Sequence, residues 1–328
     1  MKAPSLRCVL LFAFCFALLL LPSSALAWGC KGHQTVALIA EKQLTPEARQ
    51  FVEKLLAENP IDPQLKRYCG NATRDLLVDA STWPDDVRND LKNGPWHYID
   101  IPRGASRGPL EPFCGAGGCV TKVIADQLAI LKDKNADPRL RANAIRYLVH
   151  FVGDLHMPLH ASTNDDEGGN CTPTGYFRRH PRENHNSFTP NLHALWDTAI
   201  LERDMEGADP SEYADFLVQL FSSDFGKWQG AGIHVDDWAW ESHDLAESIV
   251  YGMLTPKIPI EPPARALLRR CKQYRRAHVA TASSCGRVLS GSRRACHPGK
   301  ACPSRDSSGH DPQRRCEALS RIELRFAR

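Results

Sequence analysis

Two stretches of the 328-residue chain repeat one pattern, in which a histidine precedes an aspartate by four residues. His150 and Asp154 lie in RYLVHFVGDLHMPLH, and His193 and Asp197 lie in NLHALWDTAI. Side chains four residues apart on a helix leave the same face, so each pair can aim an imidazole nitrogen and a carboxylate oxygen at one point. Both donors suit Zn²⁺. One such pair could equally be a surface hydrogen bond, but two pairs favour metal binding.

Further candidate ligands accompany these pairs. His160 comes directly after Pro158-Leu159, Asp85 and His97 lie in the turn-rich segments STWPDDV and WHYID, and His33 lies shortly after the predicted signal described below. Each of these histidines alone could be an ordinary core or surface residue. Together the donors exceed the four that one zinc ion takes. The sequence therefore predicts a site with several ions, in which carboxylates bridge and partly neutralise them.

The first 27 residues are typical of an export signal. Lys2 and Arg7 precede the apolar run CVLLFAFCFALLLL, and Ala25-Leu26-Ala27 is a small-residue cleavage sequence. An uncleaved membrane anchor is the alternative, but the apolar run is shorter than the roughly 20 residues that span a bilayer. Cleavage after Ala27 would give a secreted or periplasmic protein that begins at Trp28. Its free α-amino group can lose its proton and coordinate a metal.

Export also places the cysteines in an oxidising compartment. Cys114 and Cys119 enclose Gly-Ala-Gly-Gly, whose glycines permit a tight loop, and we expect these two cysteines to be bridged. Cys30, Cys69 and Cys171 are an odd number in the main body. One of them therefore pairs with a cysteine nearer the C-terminus or stays free.

The segments that must position these residues are mostly helical in pattern. Thr45-Pro46-Glu47 predicts a helix start, with a capping side chain, a first-turn proline and an acid near the dipole. Helical patterns cover 33–44, 48–59, 121–133, 138–152, 191–201, 210–221 and 238–251. Strand-like alternation is scarce, and its best candidate is 96–101. We predict an all-α fold, a single multi-helix domain with little or no sheet and long functional loops at 101–120 and 161–190.

The charge is unevenly distributed. The formal net charge of +3 and the pI near 8.2 suggest a basic protein that attracts polyanions. However, residues 264–328 carry 16 basic and 4 acidic residues, whereas residues 28–263 carry 23 basic and 34 acidic residues, a net charge of −11. The tail has too little periodic apolar sequence to fold alone, and we interpret it as disordered or aberrant instead of a nucleic-acid-binding arm. The predicted organisation is a signal peptide (1–27), one domain (28–263) and a tail (264–328).

The motifs together resemble a known family. WGCKGH, STWPDD, WHYID, LVHFVGDLHMPLH, GGN and NLHALWD, in this order, are similar to motifs of the fungal and plant zinc-dependent single-strand nucleases and their bacterial relatives. The resemblance covers about residues 28–263 and implies the all-α fold shared with zinc-dependent phospholipase C. It implies three zinc ions: the first on Asp85, His97, His150 and Asp154, the second on His160, His193 and Asp197, and the third on the Trp28 amine and carbonyl, His33 and a bridging Asp154.

The resemblance also implies how substrate binds. It places Arg88 close to the scissile phosphate, Asn170 of GGN on the phosphate side, and Tyr98 under a stacked base. The implied reaction is hydrolysis of single-stranded DNA and RNA to 5′-phosphorylated products, with nucleotides as further substrates. It implies a monomer without a stable protein partner or membrane association. A zinc-dependent phospholipase C and a secreted zinc-binding protein without turnover are the alternatives.

Two features depart from the family pattern. His156 is an additional histidine between the ligands, and we interpret it as a surface residue or a neighbour of the ligands. The loop from Gly169 to Asn191 is longer than in the fungal enzymes and carries Arg178, Arg179, Arg182 and His185. We interpret this loop as one that could widen the substrate groove or alter substrate preference.

Overall fold

The computed structural model describes residues 29–70, 72–184, 187–255, 257–260, 271 and 280–281. The predicted signal peptide, Trp28, His185 and most of the tail lie outside these residues. Within the described part the protein is mostly helical, which confirms the predicted fold class.

Some helices follow one another closely, whereas longer segments separate α2 from α3, α4 from α5 and α6 from α7. The α-helices are α1 (Cys30–Gln43), α2 (Pro46–Glu58), α3 (Leu76–Asp86), α4 (Arg88–Leu91), α5 (Val120–Lys132), α6 (Pro138–Leu155), α7 (Leu192–Ala194), α8 (Ile200–Met205), α9 (Pro210–Leu220), α10 (Phe225–Gly230) and α11 (Val235–Leu245). Short 3-10 helices occur at Gly94–His97, Glu111–Phe113 and Pro158–His160, and π-helical segments at Leu195–Ala199 and Ala246–Tyr251. Leu195–Ala199 joins α7 to α8 in one helical run.

Helix α6 is the central element. It packs against α1, α3 and α5 on different sides. Ala142 and Ile145 belong to an apolar cluster shared with α1, α2 and α3, whereas Phe151 and Leu155 belong to a second cluster shared with α5 and α11. All four side chains are buried. Because α6 is covered on several sides, polar residues near its end are held inside the protein.

The predicted helix start at Thr45 is present, and a similar cap opens α6. The Thr45 hydroxyl accepts a hydrogen bond from the Ala48 amide at 3.2 Å, and Pro46 opens α2. The Asp137 carboxylate caps α6 by accepting from the Arg139 amide at 2.7 Å. Such caps satisfy backbone amides that the first helical turn leaves without partners.

The predicted strand at 96–101 is wrong. The segment begins inside the 3-10 helix Gly94–His97 and continues as irregular chain. The apolar-polar alternation arises because every second residue, His97, Ile99 and Ile101, is buried. The Ile99 amide donates to the His160 carbonyl at 2.8 Å, and the Ile101 carbonyl accepts from Thr163 at 2.9 Å. The segment is thus tied to the chain that follows α6 without joining a sheet.

The structure of two further segments also differs in detail from what their sequence suggests. The segment STWPDDV, expected to be turn-rich, forms the end of α3, with Pro84 inside the helix. The long loop at 161–190 contains short strands: β1 (Thr174–Gly175), β2 (Arg182–Asn184) and β3 (Ser187–Thr189). β2 and β3 form an antiparallel hairpin, and β1 pairs in parallel with β4 (Ala280–Thr281).

Three disulfides cross-link the described chain. Cys114 and Cys119 are bridged, as their glycine-rich loop suggests. Cys30 pairs with Cys69, and Cys171 pairs with Cys271. The odd cysteine of the main body therefore finds its partner in the segment assigned to the tail. None of the helices in the described residues is long and apolar enough to cross a membrane.

Candidate metal centre

Eight of the nine predicted ligands lie in the described residues, and the fold brings them together. They come from α1 (His33), α3 (Asp85), α6 (His150 and Asp154), the 3-10 helices (His97 and His160), α7 (His193) and the π segment after it (Asp197). All eight side chains are buried, and the most accessible, Asp85, is only 8% exposed. The ninth predicted ligand, Trp28, lies outside the described residues.

The ligands form three groups, and within each group one donor atom per residue lies within 4.8 Å of the others. The groups are His33, His150 and Asp154; Asp85, His97 and His150; and His160, His193 and Asp197. The last of these groups is the predicted second zinc site in full. The other two share His150 and together contain the described members of the predicted first and third sites.

Asp154 lies where the three groups meet. Its Oδ2 is 3.0 Å from His97 Nδ1 and 3.2 Å from His150 Nε2. Its Oδ1 is 3.4 Å from His33 Nε2 and 3.6 Å from His160 Nδ1. This carboxylate therefore has the position that a bridging ligand requires.

The carboxylates of the centre crowd negative charge inside the protein. Burial raises the pKa of Asp197 well above its usual value, and the charges of Asp154 and Asp85 raise it further. Burial likewise raises the pKa of Asp85 to about 7. Burial also acts to raise the pKa of Asp154, but the charge of His150 and hydrogen bonds from the surrounding imidazoles outweigh it and hold this pKa well below its usual value. A bound cation would stabilise the ionised form of all three acids.

Burial and neighbouring charges also give the imidazoles of the centre very different pKa values. Burial works against a charged His150, but Asp154 and Asp85 outweigh it and raise the pKa of His150 to about 9. Burial lowers the pKa of His97 to about 4 and that of His160 well below its usual value. Neutral imidazole is the form that binds a metal.

The residues fit zinc. His97 Nδ1 and His150 Nε2 face each other at 3.1 Å, beside the Asp154 carboxylate. Several buried donor atoms make no hydrogen bond: Asp85 Oδ1, Asp154 Oδ1, Asp197 Oδ1 and His160 Nδ1. Buried polar atoms are normally satisfied, and imidazole nitrogen with carboxylate oxygen is a common zinc donor set. Ions among these atoms would supply the missing partners.

Backbone carbonyls orient two of the imidazoles. His150 Nδ1 lies 2.7 Å from the Ser81 carbonyl of α3, and His193 Nδ1 lies 2.8 Å from the Gly168 carbonyl. Each contact fixes which ring nitrogen faces the centre, as is usual for metal-binding histidines. The rings of His33 and His150 stack with centroids 3.8 Å apart. Sequence reasoning missed these carbonyl contacts because any residue type can supply a carbonyl.

Two of the predicted substrate residues lie beside the metal centre. Arg88, in α4, is half-buried, and its charge favours ionised Asp85 and Asp197. Tyr98 is 36% exposed, and burial and the charge of Asp100 raise the pKa of its hydroxyl, with the charge of Arg88 acting against them. A cationic side chain and an accessible aromatic ring thus share one edge of the centre.

Asn170 has a structural contact of its own. Its side-chain amide donates to the Glu167 carbonyl at 2.9 Å and helps to close the glycine-rich turn. The turn carries the Gly168 carbonyl that orients His193. The structure therefore places Asn170 next to the second group of ligands, with its amide engaged in the turn.

Two residues near the centre have positions that the sequence did not reveal. Tyr68 is 53% exposed, and its amide donates to Asp86 Oδ1 at 2.6 Å. Burial raises the pKa of its hydroxyl, and the charges of Asp85 and Asp197 raise it further, which places the phenol at the rim of the site. Its only sequence signal is the adjacent Cys69.

His156 is not a surface residue. It is 2% exposed, its Nδ1 lies 2.7 Å from the Val152 carbonyl, and its ring lies 5.4 Å from that of Trp238. It belongs to none of the three ligand groups. His156 therefore packs in the core on the side of α6 that faces α11.

A helical fold with three clustered groups of buried histidines and aspartates is typical of proteins that use metal ions for hydrolysis. The chain belongs to the S1/P1 nuclease family, whose sequence model matches residues 28–282. It is 28% identical to Endonuclease 4 of Arabidopsis thaliana over 269 residues, which cover 75% of this chain and 83% of the relative. It is 29% identical to Nuclease P1 of Penicillium citrinum (60% and 67% covered) and 29% identical to Nuclease S1 of Aspergillus oryzae (67% and 73% covered).

Proposed function

We propose that this protein is an exported, zinc-dependent nuclease that hydrolyses single-stranded DNA and RNA to 5′-phosphorylated products with three zinc ions. The observation that carries the proposal is the position of Asp154, whose two oxygens lie within 3.6 Å of histidines from all three ligand groups. Its family relatives include proteins named as nucleases and endonucleases, which supports the same reaction.

The ligands have distinct roles in this proposal. Asp85, His97, His150 and Asp154 would hold one ion, His160, His193 and Asp197 a second, and Trp28, His33 and Asp154 a third. Bound zinc supplies Lewis acidity and makes a water molecule acidic enough to act as a nucleophile near neutral pH. Asp154 aligns the groups, since one rigid carboxylate at the end of α6 contacts all of them. The Ser81 and Gly168 carbonyls keep His150 and His193 in their binding orientation.

Arg88 and Tyr98 would position the substrate. The Arg88 guanidinium can neutralise a phosphate at the edge of the centre and stabilise the charge that develops during hydrolysis. Tyr98 offers an accessible ring on which any base can stack. A base held in a duplex is already stacked and paired, so contact with Tyr98 favours single strands. Asn170 supports this edge by closing the turn beside His193.

Export fits the same function. The disulfides Cys30–Cys69, Cys114–Cys119 and Cys171–Cys271 are stable in an oxidising compartment. Cleavage after Ala27 would release the Trp28 amine two residues before Cys30, where α1, the helix that carries His33, begins. The proposal thus makes the third ion dependent on signal removal.

The test compares four substrates, single-stranded DNA, RNA, duplex DNA and lecithin, with the purified mature protein. We expect cleavage of single-stranded DNA and RNA, much slower cleavage of duplex DNA, and loss of all activity with a chelator that zinc restores. Elemental analysis should give three zinc ions per chain. Release of phosphocholine from lecithin, with nucleic acids left intact, would identify a phospholipase C instead. Full zinc occupancy without turnover of any substrate would identify a zinc-binding protein.

A further inference from the structure

We propose that the exposed arginines of the segment 176–182, the arginine loop, bind phosphates of the substrate strand beyond the bond that is cleaved. This inference rests on the proposed function and extends its substrate site from one nucleotide to a longer strand. The loop lies between Asn170 and the helical run that supplies His193 and Asp197.

The chain segments that flank the arginine loop are hydrogen-bonded to each other beside the second ligand group. The Gly169 carbonyl accepts from the His193 amide at 3.3 Å, and the Thr172 carbonyl accepts from the Leu192 amide at 2.9 Å. Tyr176 is buried in the same apolar cluster as Leu192. The loop therefore has a fixed place beside the second group of ligands.

The turn at the tip of the loop is held in an unusual conformation. Phe177 and Arg178 have φ of 45° and 66°, and the Arg179 amide donates to the Tyr176 carbonyl at 2.7 Å. Consecutive positive φ angles make a mirror-image turn, which non-glycine residues adopt at a conformational cost. Phe177 packs against the core, and the Arg203 guanidinium lies 5.1 Å from the centre of its ring. With this anchoring Arg178 and Arg179 are both exposed, and the Arg179 side chain also forms a hydrogen bond with the buried Tyr176.

The loop concentrates positive charge on an acidic domain. Arg178, Arg179, His180 and Arg182 are all exposed, and no acid occurs within 176–182. Residues 28–263 as a whole carry a net charge of −11. Among the described side chains, no carboxylate forms an ion pair with any of the three arginines. An isolated basic patch of this kind attracts polyanions.

The loop contacts the helical run that carries Asp197. Arg203, which covers the loop, lies six residues after Asp197 in the same helical run, or about 9 Å along the axis. A strand with one phosphate at the metal centre would carry its neighbouring phosphates past the loop. Phe177 is packed inward, so the loop presents charge without the apolar side chains that insert into a membrane surface.

The test removes two charges and compares a long with a short substrate. In Arg178→Ala/Arg182→Ala, KM for a single-stranded 20-mer should rise about 10-fold, and the slope of log KM against log salt should fall by about 1.4, or 0.7 for each lost phosphate contact. The kcat/KM for a dinucleotide with a single phosphodiester should stay unchanged. Lys134→Ala/Arg139→Ala is the matched control, since both residues are exposed and Arg139 precedes Asp154 by about 22 Å along α6.

The remaining outcomes are decisive. Equal losses on both substrates would show that the loop only supports the centre, and unchanged kinetics on both would show that it contacts nothing; either overturns the proposal. If the unsubstituted protein cleaves neither substrate, the proposed nuclease function fails, and anisotropy of a labelled phosphorothioate 20-mer then tests the loop alone. Weaker binding by the loop variant supports the inference and equal binding overturns it. Loss of binding only to phosphatidylserine vesicles would assign the loop to membranes and overturn it too.

Discussion

At the scale of single residues, Asp154 determines how the metal centre is held together. One carboxylate reaches histidines that come from α1, α6 and two 3-10 helices. Asp197, in contrast, belongs to one group only, and none of its carboxylate oxygens in the described structure pairs with a histidine of another group. Both residues are carboxylates, but Asp154 lies close to histidines of all three ligand groups and Asp197 belongs to one group.

This difference predicts unequal effects of the same substitution. Asp154→Asn should lower kcat more than 100-fold and remove more than one zinc ion, because it weakens a ligand shared between groups; even neighbours of ligands cost 10- to 100-fold. Asp197→Asn should remove one ion. Elemental analysis and initial rates on single-stranded DNA measure both effects. A clearly larger loss in Asp197→Asn would contradict the bridging role.

Tyr98 carries a second residue-scale prediction. Tyr98→Ala should raise KM for single-stranded oligonucleotides about 5- to 150-fold, which corresponds to the 1 to 3 kcal/mol of base stacking. Tyr98→Phe keeps the ring and should leave KM nearly unchanged. Zinc content should stay the same in both variants, since Tyr98 is no ligand. Equal defects in the two variants would indicate that the hydroxyl, and not the ring, makes the contact.

At the scale of elements, the glycine-rich turn after α6 holds the second group of ligands in place. Gly168 has φ of 59°, and a Cβ there would lie 2.6 Å from the Leu159 carbonyl. Leu159 immediately precedes the ligand His160, and the Gly168 carbonyl orients His193. Any movement of this turn is therefore transmitted to two residues of the second ligand group.

Gly168→Ala should consequently lose the second zinc ion and lower the free energy of unfolding by about 1 to 3 kcal/mol, the usual cost of overpacking. Gly207→Ala is a matched control, because Gly207 also has positive φ, 92°, but a Cβ there would meet nothing within 4 Å. Gly207→Ala should lower the free energy of unfolding through backbone strain but should keep its full zinc content. Thermal unfolding and zinc analysis measure both. Full zinc occupancy in Gly168→Ala would contradict the role of the turn.

The elements also show where the sequence is informative. Thr45 and Asp137 start helices as local chemistry requires, and the His150–Asp154 spacing places both side chains on one helix face. The pattern at 96–101 wrongly predicts a strand, because alternate residues of this irregular segment are buried and produce the same alternation. Residue types and helical spacing thus predict the ligands, whereas carbonyl contacts and the packing of loops depend on tertiary structure that one sequence does not display.

At the scale of the whole molecule, contacts with the main body continue beyond residue 263, the predicted end of the domain. Cys271 is buried and bonded to Cys171, next to Asn170. β4 at 280–281 pairs with β1, and the family match ends at 282. The composition changes at 263 because arginine-rich sequence begins there, but the covalent and strand contacts continue beyond it.

A chain ending at 263 should therefore be less stable than one ending at 282. The disulfide closes a loop of 100 residues, and its loss costs about 4.7 kcal/mol in the chain-entropy description, or roughly 10 to 20 °C in Tm. Cys271→Ser in the longer chain separates the effect of the bond from that of the added residues. Calorimetry at one pH and zinc concentration measures all three proteins. Equal Tm values for the two lengths would restore the boundary at 263.

The disulfides also determine how this protein can change over evolution. Each of them ends close to a residue of the site: Cys30 shortly before His33, Cys119 beside the amide of Val120 that bonds the Tyr98 carbonyl, and Cys171 next to Asn170. At these three positions a cross-link and a candidate site residue are thus neighbours. We expect substitutions there to affect folding and the site together, so that changes in substrate preference would evolve with least penalty in the arginine loop.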